Sequence, residues 1–149
     1  MNTNPLLTVG WREYCSLPDL GLVDVNAKID TGAKTSCLHA FSVKPFKKNK
    51  KQWVRFGMHP DQDSTDVEIF CEAEVIDRRE VTDSGGHISK RYVISTNIEI
   101  NGQQWPIELT LTNRDTMKFR MLIGRSAMRK RIIVNPDKSF LMGKQEELD

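Results

Sequence analysis

Residues Val23 to Ala40 read VDVNAKIDTGAKTSCLHA. Apolar Val23, Val25, Ala27 and Ile29 alternate with polar Asp24, Asn26 and Lys28, the period-two pattern of a strand with one face in a core. The alternation stops at Asp30-Thr31-Gly32-Ala33. Asp30 therefore leaves the strand where the backbone has to turn. Gly32 permits that turn and lets amides approach the carboxylate with no Cβ in the way, while Thr31 offers a hydroxyl to tie the loop down. Asp and Gly are also common turn residues, so the triplet by itself is equally a plain turn. Its place at the end of an alternating strand is what marks Asp30 as a held acid.

The same period recurs outward from this stretch. Val67, Ile69, Cys71, Ala73 and Val75 alternate with mostly acidic neighbours. Tyr92, Ile94, Thr96, Ile98 and Ile100 lead into Asn101-Gly102, a pair that tolerates positive φ, and Trp105, Ile107, Leu109 and Leu111 return, which predicts a hairpin. Pro106 cannot donate to a ladder and predicts an edge or a bulge on the returning strand. A second hairpin is expected where Asp83-Ser84-Gly85-Gly86 separates two β-rich arms. Further on, FRMLIGRSAMRKRIIV gives a short apolar run, Gly124, one or two helical turns from Arg125 to Arg131, and a last strand at Ile132-Ile133-Val134. NPDK then turns the chain into SFLM. No internal repeat or Pro/Gly/Ser linker interrupts. The expectation is one domain over residues 1–149, with an ordered core from about 9 to 142 and an acidic tail at 143–149. Its class is mainly β: about seven to nine short strands closed or partly closed into a barrel, with one short helix after Gly124.

A chain of 149 residues holds one core and is short for two lobes. Its 22 basic and 20 acidic residues leave a net charge of +2, so overall charge does not call for nucleic acid. The distribution is uneven. Lys44, Lys47, Lys48, Lys50 and Lys51 fall together, and a second basic stretch runs through Lys118, Arg120, Arg125, Arg129, Lys130 and Arg131. The first run reads as a solvated loop that would also attract an acidic polymer. Ribosomal RNA is a second candidate target of the same charges, but no aromatic stacking motif is visible beside them, so nucleic acid is not the expected substrate. Cys15, Cys37 and Cys71 cannot all pair, and no basic start precedes an apolar segment, so the chain is expected in the cytoplasm. No run reaches the roughly 18 apolar residues of a membrane helix.

The succession of strand, Asp30-Thr31-Gly32-Ala33, glycine-tipped hairpin and Leu122-Ile123-Gly124-Arg125 leading into a helix resembles the retropepsin fold of aspartic peptidases. The longer stretches VGWREYCSLPDLGLVDVNAKIDTGAKTSCLHA, KRYVI and LIGRSAM resemble the bacterial RimB-like family, over roughly Val9 to Leu141. That family is labelled as ATP-dependent zinc proteases and regarded as retropepsin-like. The resemblance implies that Asp30 is the catalytic acid, that Thr31, Gly32 and Ala33 support its loop, and that Ser84, Gly85, Gly86 and His87 form a flap over substrate. It makes Leu122, Ile123, Gly124 and Arg125 the fold signature. It also implies a partner, because such genes are often associated with an ATP-grasp ligase that adds glutamates to a small-subunit ribosomal protein. The substrate implied is an extended peptide or acidic protein tail. At Lys34 the chain departs from the Asp, Ser or Thr that often follows the alanine in retropepsins.

Aspartic peptidase chemistry uses two carboxyls sharing a proton, one drawing a proton from water and the other supplying one to the scissile carbonyl. The rival triplet Asp83-Ser84-Gly85 sits at a hairpin tip, where its acid is expected to be solvated. Two copies of Asp30 must then meet across a two-fold axis, which predicts a homodimer. The zinc and ATP of the family label find no motif: there is no His-Glu-x-x-His and no G-x-x-x-x-G-K-[ST] loop. Cys37 and His39, on one strand face, are weak metal candidates, with Cys15, His59, Cys71 and His87 as further donors. No cofactor is expected, and ATP dependence would come through a partner. Two other readings stay open: a protein-binding or ribosome-associated module without turnover, and a zinc-dependent hydrolase.

Overall fold

A computed structural model of the chain describes residues 5–83, 85–113 and 118–144. Among them the chain forms β1 (Leu7–Val9), β2 (Arg12–Leu17), β3 (Leu22–Ile29), β4 (Ser36–Ala40), β5 (Ser42–Lys48), β6 (Lys51–Met58), β7 (Ile69–Glu74), β8 (Asp77–Thr82), β9 (Ile88–Ile100), β10 (Gln103–Asn113), β11 (Met121–Ile123) and β12 (Ile132–Val134). One helical turn, α1 (Arg125–Met128), follows β11. Strands β10, β4, β11, β3, β2 and β9 are hydrogen-bonded in that order, and β9 pairs with β10 to close the ring. This is a closed barrel, mainly β as expected, and β8 extends it as the outer arm of a hairpin with β9.

The strands outnumber the sequence-based expectation because the lysine run is not a loop. Residues 42–58 form two strands joined at Asn49-Lys50, both with positive φ, and β5, β6 and β7 make a separate three-stranded sheet. At the other end β1 pairs in parallel with β12. The SFLM segment forms no strand. The hairpin at Asn101-Gly102 has Trp105, Ile107, Leu109 and Leu111 turned inward, as their period requires. Pro106 opposes Asn97 on β9, and β4 joins the other side of β10 only from Leu109 onward, so the missing donor falls on an open edge.

One part of the alternation fails instructively. Val23 is 47% exposed whereas Leu22 is fully buried. The ladder between β2 and β3 slips between Cys15 and Leu17, and Asp24 takes φ 52 to absorb the extra residue. The Asp24 amide donates to Ser16 Oγ at 3.0 Å, which pays the bulge's hydrogen bond locally. A one-residue slip turns every following side chain over, so Leu22 enters the core in place of Val23.

Glu13 is fully buried. Its Oε2 accepts the amides of Gly10 at 2.7 Å and Leu141 at 2.8 Å, and its Oε1 accepts that of Met142 at 3.0 Å. The carboxylate thereby pins the 139–142 segment against the start of β2, where Phe140 also stacks on Tyr14 with centroids 4.6 Å apart. Glu13→Ala strands three donors, and a buried donor left unmet costs about 1–3 kcal/mol. With partial access of water, the expected loss is about 3 kcal/mol in urea unfolding. Glu13→Gln recovers only part of it, because its amide group presents one accepting oxygen where the native carboxylate presents two.

Candidate active site

Strand β11 lies between β3 and β4, parallel to the first through Met121↔Ala27 and Ile123↔Ile29 and antiparallel to the second through Met121↔Leu38. The loop from Asp30 to Thr35 therefore crosses the end of β11 to reach β4. The Asp30 amide donates to Ile123 O at 2.9 Å, continuing the parallel ladder one residue past the strand. Coming back, the amides of Arg125 and Ser126 donate to the carbonyls of Ala33 and Lys34 at 2.8 and 2.9 Å, and Ser126 Oγ donates to Lys34 O as well. The Gly124 amide donates to Ser36 Oγ at 3.0 Å. Arg125 Nη1 reaches Thr31 O at 2.9 Å across 94 positions of sequence. Residues 30–33 and 122–125 are thus brought together and bonded to one another. The tie to Thr31 runs through its carbonyl, with Thr31 itself exposed.

Asp30 is half-buried, and its Oδ1 accepts the Gly32 amide at 3.0 Å. That bond fixes the rotamer and leaves Oδ2 for chemistry. Beside the loop is a cleft of about 790 Å³ lined by Gly32 to Thr35, by Arg79 to Thr82 of β8, by Glu108 and Thr110 of β10, and by Ser126. Its wall is stapled by Arg79, whose Nη1 donates to Glu108 Oε1 and whose Nε donates to Asp77 Oδ2, both at 2.7 Å. The hydrogen bond to Glu108, then that to Asp77, raises the guanidinium's already high pKa; in return Arg79 holds the Asp77 carboxyl below the usual range. A depressed carboxyl lends its stability above the unfolded-state value and loses it as pH falls through the folded one, so this staple weakens only on acidification. Asp77 is open to water and the contribution is correspondingly small.

The hairpin of β8 and β9 turns at 83–87, where Ser84 lies outside the described residues. Asp83 is not solvated as expected. Its side chain is 18% exposed, and Oδ1 accepts the amides of Gly85 and His87, both at 2.9 Å. This acid builds the turn that carries Gly85, Gly86 and His87. The β8 arm, and not these tip residues, faces the cleft within one chain.

Cys37 and His39 both lean on Thr112: His39 Nδ1 lies 2.8 Å and Cys37 Sγ 3.7 Å from its Oγ1. Burial pushes the Cys15 thiol up to about 12 and the Cys71 thiol to about 11, so both stay protonated at neutral pH. His59 stacks on Phe41 and reaches Glu68, and His87 sits beside Asp83. Among the described residues no three His, Cys, Asp or Glu side chains cluster closely enough to hold a metal ion. No helix among them is long and apolar enough to cross a membrane. Arg79 and Glu108 lie in no quoted motif, and Ser36 and Ser126 fall inside quoted stretches with no role read from them; single hydroxyls and charges acquire their place only once the strands are paired.

Comparison with known proteins agrees with this fold. A family described as "Retropepsin-like aspartic endopeptidase RimB" matches residues 8–145. A probable alpha-L-glutamate ligase of Shewanella halifaxensis is 45% identical over 141 residues, covering 95% of this chain and 31% of that protein. One of Parasynechococcus marenigrum is 44% identical over 145 residues, covering 96% and 31%. The chain thus spans under a third of these relatives. The crystal structure of a Legionella pneumophila protein of unknown function superposes with a TM-score of 0.75 at 27% identity, covering 91% of this chain and 97% of that one.

Proposed function

The chain belongs to the RimB-like family, and from that premise we propose that it is a homodimeric aspartic endopeptidase whose two copies of Asp30 activate water for peptide-bond hydrolysis. The observation that carries this reading is the rigid delivery of Asp30, held by backbone bonds to β11 and by the Gly32 amide, with one carboxyl oxygen left open. Two such acids at about 3 Å cannot both be ionised, so the pair holds a single proton. The ionised member takes a proton from water as its oxygen attacks the carbonyl carbon; the protonated member gives its proton to the carbonyl oxygen. The newly protonated member then gives its proton to the leaving nitrogen as the C–N bond breaks, and the other takes a proton from a hydroxyl of the collapsing intermediate, which restores the singly protonated pair.

An extended peptide laid beside the β8 arm pairs its backbone with a strand edge and places alternate side chains in the cleft. The relatives named as probable glutamate ligases support a substrate drawn from glutamate ligation, and we assign a glutamylated ribosomal protein tail in the cytoplasm, made by an ATP-grasp ligase partner. Metal has no part in this scheme. The test offers the purified protein glutamylated and plain peptides, with and without chelator, and reads products by mass. Chelator-resistant cleavage is expected. Activity lost to chelator and restored by zinc would replace this reading with a metal hydrolase, and peptide binding without cleavage would replace it with an adaptor.

Arg125→Ala removes the guanidinium from Thr31 O. The exposed bond contributes about 1 kcal/mol, so the protein folds. Turnover is expected to fall about tenfold with KM unchanged, because the loop that aims Asp30 loosens. Steady-state kinetics check this.

A further inference from the structure

The lysine run conceals an arrangement that only strand pairing reveals. In the ladder of β5 and β6, Lys44 opposes Arg55, Phe46 opposes Trp53, and Lys48 opposes Lys51. Opposed residues of an antiparallel pair project to the same side. One face therefore presents a row of two cations, a row of two aromatic rings and a second row of two cations, and the outer rows are about 13 Å apart at a rise of about 3.3 Å per residue. The intervening Val54 and Phe56 are fully buried on the opposite face, which fixes the register. The Phe46 and Trp53 rings are 6.4 Å apart between centroids, and Lys48 Nζ lies 4.6 Å from the Trp53 ring centre. Positive φ at Asn49 and Lys50 makes the tight turn that closes the hairpin.

No acidic residue occurs from Phe41 to His59. Glu72 and Glu74 border the face from β7, 3.9 Å from Arg55 and 3.7 Å from Lys51, in exposed pairs. The other border is β5, an edge strand of its sheet. The second basic stretch offers no such face, since Arg120 is buried and Arg131 lies over Trp105.

We propose that the β5–β6 hairpin face formed by Lys44, Phe46, Lys48, Lys51, Trp53 and Arg55 is a docking surface for single-stranded RNA. Bases stack on the aromatic pair while the flanking phosphates meet the two cation rows, the combination by which single strands are held without sequence preference. An acidic protein tail satisfies the cations and leaves the rings unused. Duplex RNA keeps its base faces covered. None of the six residues lines the cleft beside the Asp30 loop, so the two surfaces are separate.

Fluorescence anisotropy of a labelled oligo-uridine dodecamer, titrated at several salt concentrations, tests this. Binding is expected, with a 12-bp RNA duplex and a poly-glutamate of equal charge each about tenfold weaker or more. Phe46→Ala weakens binding about tenfold and leaves the slope of log K against log salt unchanged. The exposed pair Lys48→Gln/Lys51→Gln, which does not threaten folding, flattens that slope by about 1.4. Absence of oligo-uridine binding at low salt overturns the proposal. So does equal binding of poly-glutamate with no effect of Phe46→Ala, which makes the face an anion patch for acidic protein.

Discussion

Asp30→Asn abolishes peptide hydrolysis, lowering kcat by about 10⁴-fold or more, and leaves the thermal midpoint and self-association of the protein unchanged. The two halves of this result have separate causes. Asn keeps the shape of Asp and an oxygen that accepts the Gly32 amide, which the native Oδ1 does at 3.0 Å, so the loop retains its internal bond. The backbone ties of residues 30–34 to β11 and α1 involve no Asp30 side-chain atom. What disappears is the ability to take a proton from water and to hold one for the carbonyl oxygen. Each such transfer contributes about 10²–10⁴-fold, and in a symmetric pair the substitution removes both acids. Retained cleavage by a folded, dimeric Asp30→Asn protein means that the hydrolytic chemistry is elsewhere.

Gly124→Ala is expected to act through structure instead. A Cβ built there lies 2.8 Å from the Thr35 carbonyl carbon, 3.0 Å from Ala33 O and 3.0 Å from the Lys34 carbonyl carbon. All three are backbone atoms of the loop that carries Asp30, and none can swing aside as a side chain would. Gly124 has φ −96, so the demand for glycine is one of space and not of backbone angle. Relieving the contact pushes the loop outward and breaks the short bonds from Arg125 and Ser126 to Ala33 and Lys34. Overpacking of this kind costs about 1–3 kcal/mol, here at the upper end because main chain must move. Displacing the acid by about 1 Å costs a further factor of about 10² in turnover. Urea unfolding with kinetics separates the two effects. A variant of native stability and activity contradicts the packing described.

Period two carried most of the barrel before any strand was paired. The inward residues of β9 and β10 follow it closely, and Asp30 at the end of β3 marked the loop. Val23 shows why the pattern alone is not enough, since a bulge at Asp24 is a tertiary choice stabilised by Ser16, and the sequence around it continues to alternate. The lysine run misled for a different reason. Exposed strands carry charge on their outer face, and Phe46 and Trp53 are seven positions apart in the chain and opposite only after the hairpin closes. Of the site itself, the Asp30 loop was legible because the alternation of β3 stops at a glycine-containing turn, whereas its packing against Gly124 follows only once β11 is paired between β3 and β4. The contributions of Ser36, Arg79 and Glu108 were not, because a lone serine or charge has the same appearance on any surface.

Subunit mixing tests the shared site most directly. Wild-type protein is equilibrated with increasing proportions of Asp30→Asn protein at constant total concentration, and hydrolysis is measured. If the catalytic pair takes one Asp30 from each protomer, only dimers of two wild-type chains cleave, and activity falls as the square of the wild-type fraction. A fall that is linear in that fraction shows each chain working alone and contradicts the account.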